Sequence, residues 1–375
     1  MLMKLDKNLQ AFFALLRAGL WEQEACLAVY EDIDYSKVNQ LAEDHAVCGI
    51  IAAGIEHVVD TVVPKETILK FVGSTLQIEQ RNVEMDQNVA ILVSSFNQKG
   101  IEASLVKGQG VAQCYGRPKW RSSGDIDFLL DELNYSKAKD YLSQLVVSPT
   151  KEKKKHQKMK HAEFYINNCI IELHGTLHPN LSPKMNYAID DIQKKMFSEK
   201  RFRIWKNGEV EIFMPEPTID VVFVFTHILQ HFFESGIGLR QICDLCRLLW
   251  KYNKEINVSS LGSYLKKMGI ETEWKAFASL MVTSLGYPKE VMPFYDSSFD
   301  RKGDKVLSFI IESGNFGRNL DYSYTKKHKR IIRKGITVFR HLRQALRKTM
   351  VFPVDAICFH LYFVKNGLVS AINGD

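Results

Sequence analysis

The chain has 375 residues, of which 46% are hydrophobic and 25% charged, and a net charge of +7; this composition is far from that of a disordered or a membrane protein. The length predicts two or three domains and a large core. No run reaches the roughly 18 apolar residues of a spanning helix, the first residues lack the pattern of a secretory signal, and seven cysteines, an odd number, fit reduced thiols, so a cytoplasmic protein is expected.

From the start of the chain, LQAFFALLRAGLW predicts a helix capped by a glycine. The segments LAEDHAVCGIIAAGIEHVV and ETILKFVGSTLQIEQRNVEMDQNVAILVSSF continue the helical pattern to about residue 99, parted by Pro64. The texture changes at Gly100. IEASLVKG reads as a strand, GQGVAQCYG as a helical turn, DIDFLL as a second strand and YSKAKDYLSQLVV as a helix packed behind it. After a lysine-rich loop at 151–160, AEFYIN and CIIELHGTL read as strands joined by a hairpin at Asn167-Asn168, and FRIWKNGEVEIFMP adds a second hairpin at Asn207-Gly208. PTIDVVFVFTHILQHFF then opens a helical run to at least Gly286. The predicted fold class is α+β, with a helical region at 1–99, a small mixed-sheet core at 100–215 and a second helical region at 216–375.

Three carboxylates carry the chemistry. Asp125 and Asp127 lie two apart on a strand, so they point the same way about 7 Å apart, a spacing that can hold one or two Mg²⁺ or Mn²⁺ ions against a triphosphate. Asp32-Ile33-Asp34 has the same spacing but no glycine-rich turn before it and no apolar strand after it. Lys107-Gly108-Gln109-Gly110 precedes Asp125: its glycines let backbone N–H groups approach phosphate, the helix starting there adds its positive end, and Lys107 supplies charge. The same glycines also suit a plain tight turn. Glu172 and His174 alternate with Ile171 and Leu173 and so share one strand face; Glu172 fits a third carboxylate that holds metal or deprotonates an attacking hydroxyl.

Other motifs read as structure. Cys243 and Cys246 form a C-x-x-C inside an apolar helix, where core thiols are expected. His227 and His231 stand i, i+4 without the glutamate of a zinc hydrolase and read as core or cleft-lining residues; Arg240 and Asp244, also i, i+4, are expected to pair. Residues 326–348 carry ten Lys or Arg and no acid. Apolar residues there, Leu346 among them, recur at helical spacing, which predicts an amphipathic helix with arginines outward and a weak contact with an anionic surface.

Taken together, these segments resemble the nucleotidyltransferase superfamily of polymerase-beta type, and more narrowly the large bacterial group called the uncharacterised nucleotidyltransferase family. The residues that carry the resemblance are Lys107-Gly108, Tyr115, Arg121, Asp125-Ile126-Asp127 and Glu172-Leu173-His174, with LAEDHAVCGII and THILQHFFESGIGLRQICDLCRLL as helical flanks; it spans roughly residues 35 to 290. It implies a metal-dependent transfer of a nucleoside monophosphate from an NTP to an acceptor, which the sequence leaves open among sugar, small alcohol, protein and nucleic acid. Asp125, Asp127 and Glu172 would be catalytic and metal-binding. Lys107, Gly108, Gln109, Gly110, Arg121, His174, His231 and Arg240 would meet the nucleotide, with the helix pair carrying His231 and Arg240 over the cleft. In one departure, Gln109 stands after Gly108 where better-known members have serine. A catalytically silent nucleotide-binding or scaffold protein is the first alternative, and a nucleic-acid-binding protein using 326–348 the second.

Overall fold

The structure, a computed structural model, describes residues 6–145, 161–315 and 346–372. The loop at 151–160 and most of the basic stretch, 326–345, lie outside the described residues.

Four helices come first: α1 (Lys7–Trp21), α2 (Tyr35–Asp44), α3 (Cys48–Ile55) and α4 (Lys65–Gln98). α1 runs through Gly19 and ends with Glu22 in the left-handed region, so Gly19 is not a cap as expected. It is a contact point: a Cβ there would lie 1.8 Å from the Ile50 carbonyl oxygen, and one on Gly54 would lie 2.0 Å from that of Leu15, because α1 and α3 pack backbone to backbone. The segment predicted as one helix from Leu41 breaks at Ala46, whose φ of +55° turns the chain between α2 and α3. Asp34 of the second Asp-x-Asp caps α2, its carboxylate accepting from the Ser36 and Lys37 amides at 3.1 and 3.3 Å. At 1.5 Å per residue, the 34 residues of α4 extend about 50 Å, with Pro64 before its first turn. Its later half carries Met85, Val89, Leu92 and Phe96 at helical spacing onto the sheet.

The sheet has four strands: β1 (Ser104–Val106), β2 (Asp125–Leu129), β3 (His161–Ile166) and β4 (Cys169–His174), in the order β1-β2-β4-β3. β2 and β4 are parallel and the outer pairings antiparallel. Alternation divides its faces. Leu105, Ile126, Phe128, Ile171 and Leu173 join α4 and α6 (Glu132–Leu145) in one core; Val106 and Leu129 join the other, alongside Asp125, Asp127, Glu172 and His174. A separate hairpin, β5 (Phe202–Asn207) and β6 (Val210–Pro215), turns at Asn207-Gly208 as predicted.

The larger core draws on α1, α2 and α3 together with α7 (Pro183–Ser198), α8 (Pro217–Glu234), α9 (Leu239–Lys251), α10 (Val258–Met268), α11 (Glu271–Thr283), α12 (Asp300–Ser313) and the C-terminal helix Pro353–Ile372. Helices before and after the sheet thus bury one shared interior, while the sheet, α4 and α6 share a second core. At the end of the basic stretch the expected faces are exchanged: Leu346 is exposed, whereas Lys348 is buried. Its ammonium donates to the Phe233 carbonyl at 2.9 Å and lies over the Phe232 ring, which supplies the partners a buried cation needs. No helix of the described residues is long and apolar enough to cross a membrane.

Candidate active site

β2 and β4 place the acids by register. Asp127 stands directly opposite Glu172, and Asp125 precedes it on the same face. Lys107, between β1 and the five-residue helix α5 (Gly108–Ala112), has φ +56° and ψ −141°, a conformation that side chains other than glycine rarely adopt and that costs on the order of 1–3 kcal/mol. The bend brings its Nζ to 3.0 Å from Asp127 Oδ1. Gly108 continues the turn at φ +25°. α5 is too short to carry a helix dipole of any size, so the positive helix end expected at this turn is weak.

His174 joins the two acids. Its Nε2 lies 2.7 Å from Asp127 Oδ1 and 3.3 Å from Glu172 Oε2. His161, which sequence reasoning did not single out, sits 3.1 Å from the same Glu172 oxygen. Its place was legible: counting back from the Asn167-Asn168 turn pairs His161 with His174. The Asp125 carboxylate makes no hydrogen bond or ion pair among the described residues. Lys107, His161, Glu172 and His174 open onto a cleft of about 310 Å³ whose far wall is Phe223, His227, Gln230 and His231 of α8.

The electrostatics record an excess of negative charge. Asp127, then burial and Glu172, push the Asp125 carboxyl up to about 6, against the pull of Lys107 and Arg240. Burial would raise Asp127 too, but Lys107 and His174 outweigh it and hold that carboxyl below its ordinary range. Glu172 is likewise desolvated, and its bonds with His161 and His174 hold it well below. For His174, burial and Lys107 favour the neutral ring, and the two carboxylates overcome them and raise its pKa. Burial and then Lys107 lower both His227, far below its usual value, and His231, to about 4. Their rings meet edge to face at 4.4 Å. A neutral aromatic pair lining the cleft accounts for them.

The remaining predicted residues Gln109, Arg121 and Arg240 are not among those that line the cleft. Arg121 grips Asp244 of α9 through Nε and Nη2, both at 2.7 Å, and its Nη1 donates to Ser123 Oγ at 2.9 Å. Tyr115 donates to the same carboxylate at 2.8 Å. The expected pairing of Asp244 with Arg240 is therefore replaced: Arg240 donates to the Ser122 carbonyl at 2.7 Å. Gln109 is buried and donates to Asn82 Oδ1 at 3.0 Å, while Asn82 donates to the Lys119 and Arg121 carbonyls, both at 2.7 Å. Residues 119–123 are thus tied to α4, α5 and α9 immediately before β2, which fixes where Asp125 begins. At Gly108-Gln109-Gly110 the Gln109 amide points into this network, leaving backbone groups as what the turn presents. Cys243 and Cys246 are buried and do not belong to the site.

The donor set fits a divalent cation at one cluster, His161, Glu172 and His174, whose ligand atoms lie within 4.8 Å of one another; Asp127 and Asp125 lie on the same face beside it. In comparisons with known proteins, the model of a family described as "Uncharacterised nucleotidyltransferase" matches residues 31–285. No curated protein and no solved structure matches the chain.

Proposed function

Because this chain belongs to the uncharacterised nucleotidyltransferase family, we propose that it transfers a nucleoside monophosphate from an NTP to an acceptor hydroxyl at the face formed by Asp125, Asp127 and Glu172, with release of pyrophosphate. One observation carries the reading: the register of β2 and β4 sets Asp127 against Glu172 with Asp125 on the same face, and Lys107 and Glu172 line the cleft there. A Mg²⁺ or Mn²⁺ ion held by these carboxylates would polarise the α-phosphate and offset charge on the leaving pyrophosphate. Asp125 and Asp127 hold the cation side of the site. Lys107, fixed by its bond to Asp127, offers positive charge to the phosphates, and the amides of Gly108, Gln109 and Gly110 line the turn beside it. His174 orients Asp127 and Glu172. His231 stands on the wall facing them, and Arg121 and Arg240 hold the segment that leads into Asp125. Rate then comes mainly from positioning and charge neutralisation. Seven cysteines free of disulfides agree with a cytoplasmic setting.

Nucleotide binding without transfer is the competing reading, and Gln109 favours it, because it stands in the turn where better-known members carry serine. Incubation with each labelled NTP, Mg²⁺ or Mn²⁺ and a cell extract separates the two. Transfer predicts pyrophosphate release and label on one class of acceptor, both lost in Asp125→Asn. Retained nucleotide binding without pyrophosphate from any NTP assigns the protein to the second reading.

A further inference from the structure

The three carboxylates supply oxygen only, yet the β3–β4 hairpin adds nitrogen to the same face. In its register His161 lies opposite His174, and Glu163 opposite Glu172. The two imidazoles stand with ring centroids 4.9 Å apart at a tilt of 35°. Both direct Nε2 at one atom, Glu172 Oε2, at 3.1 and 3.3 Å. The side chains of His161, Glu172 and His174 are 19%, 21% and 10% exposed, so solvent reaches them through the cleft.

We propose that His161, Glu172 and His174 bind one divalent ion of the manganese-to-zinc series, making a mixed nitrogen and oxygen site beside the all-oxygen pair Asp125 and Asp127. The inference deepens the transferase reading and rests on it for the place of Glu172 in the site. A ligand-atom spread of 4.8 Å closes onto bonds of about 2.0–2.2 Å by ordinary side-chain rotation. Chemistry then selects the ion. Mg²⁺ holds water and oxygen ligands in a strict octahedron, whereas imidazole suits the later ions of the series, iron, nickel and zinc among them, and Mn²⁺, which also takes carboxylate, serves as the spectroscopic probe. Charge agrees with this: Lys107 already sits on Asp127, whereas Glu172 is faced by the two imidazoles that would join it as ligands. Binding requires each ring to offer the Nε2 lone pair with its proton on Nδ1, so in the metal-bound form His174 exchanges its 2.7 Å bond to Asp127 for the ion.

The test uses the full chain, stripped with chelator and titrated with Mn²⁺ alone, without nucleotide, and read by electron paramagnetic resonance. We expect one bound Mn²⁺ with imidazole ¹⁴N coupling in the pulsed spectrum. His161→Gln and His174→Gln should each weaken binding roughly tenfold or more, the range over which metal sites respond to a lost partner, and each should diminish the coupling. Asp125→Asn should keep the nitrogen signal. If the histidine variants fail to fold, the parent's Co²⁺ absorption spectrum serves, since nitrogen ligation shifts it from that of the aquo ion. Bound Mn²⁺ without ¹⁴N coupling, unchanged affinity in a folded His161→Gln, or an aquo-like Co²⁺ spectrum overturns the proposal. Nucleotide transfer with a nitrogen-free metal overturns this inference alone; nitrogen-bound Mn²⁺ in a protein that transfers nothing overturns the transferase reading and leaves the metal site standing.

Discussion

Arg121 and Asp244, 123 positions apart, meet in a two-point ion pair with both contacts at 2.7 Å and both side chains more than nine-tenths buried. Breaking such a pair leaves one charge without its partner in the interior, which costs about 3–5 kcal/mol. Asp244→Asn and Arg121→Leu should each destabilise the protein by about that much, measured by urea denaturation. The double variant should recover part of the loss, because no orphan charge remains; equal losses from all three variants would show that packing, and not charge, holds this junction.

Asp127→Asn keeps the shape of the side chain and removes one charge from the acid face. Nucleotide transfer is expected to fall by roughly a hundredfold or more, the scale on which removal of a single stabilising group acts, while the circular dichroism spectrum stays that of the folded parent. Lys107 retains Asp125 and Glu172 as neighbouring charges, so the substitution strands no cation. Transfer at the parental rate would remove these aspartates from the chemistry.

His45 is fully buried against Phe12, and neither ring nitrogen has a hydrogen-bond partner among the described residues. Burial pushes its pKa down from 6.5 to about 4. The folded state therefore holds the neutral ring and the unfolded state takes the proton first. Its contribution is fully present above pH 6.5 and is lost as pH falls toward 4, an effect of about 3 kcal/mol at 1.36 kcal/mol per pH unit. Stability measured across that window should be flatter in His45→Leu than in the parent. Parallel curves would contradict the assignment.

Cys26 and Cys358 are exposed, and the other five cysteines are buried. Burial also raises the thiols of Cys243, Cys246 and Cys114, the last to about 12, which suppresses the reactive thiolate. A thiol reagent under native conditions should modify two groups quickly and the rest only as the protein unfolds. Rapid reaction at Cys243 or Cys246, located by peptide mapping, would reopen a redox or metal role for the C-x-x-C.

The acid face was readable from the sequence because strand alternation is local. Two aspartates at i, i+2 must share a face, the Asn167-Asn168 turn sets the hairpin, and its register alone pairs His161 with His174. The two hairpins and the order of helix and strand follow from the same short-range rules. What the sequence by itself did not determine was how side chains far apart in the chain share partners. Arg240 and Asp244 satisfy the helical i, i+4 rule, yet Asp244 accepts from Arg121 and Tyr115, because a buried carboxylate takes the donors that tertiary packing brings to it. Gly19 has the look of a helix stop and is a helix crossing, since only the approach of α3 reveals the need for a missing Cβ. Lys348 and Leu346 exchange their expected faces for the same reason: the Phe233 carbonyl that satisfies the lysine lies 115 residues away. Periodicity reports which face of an element is apolar; which polar group is buried depends on where its partner stands, and only the tertiary structure decides that.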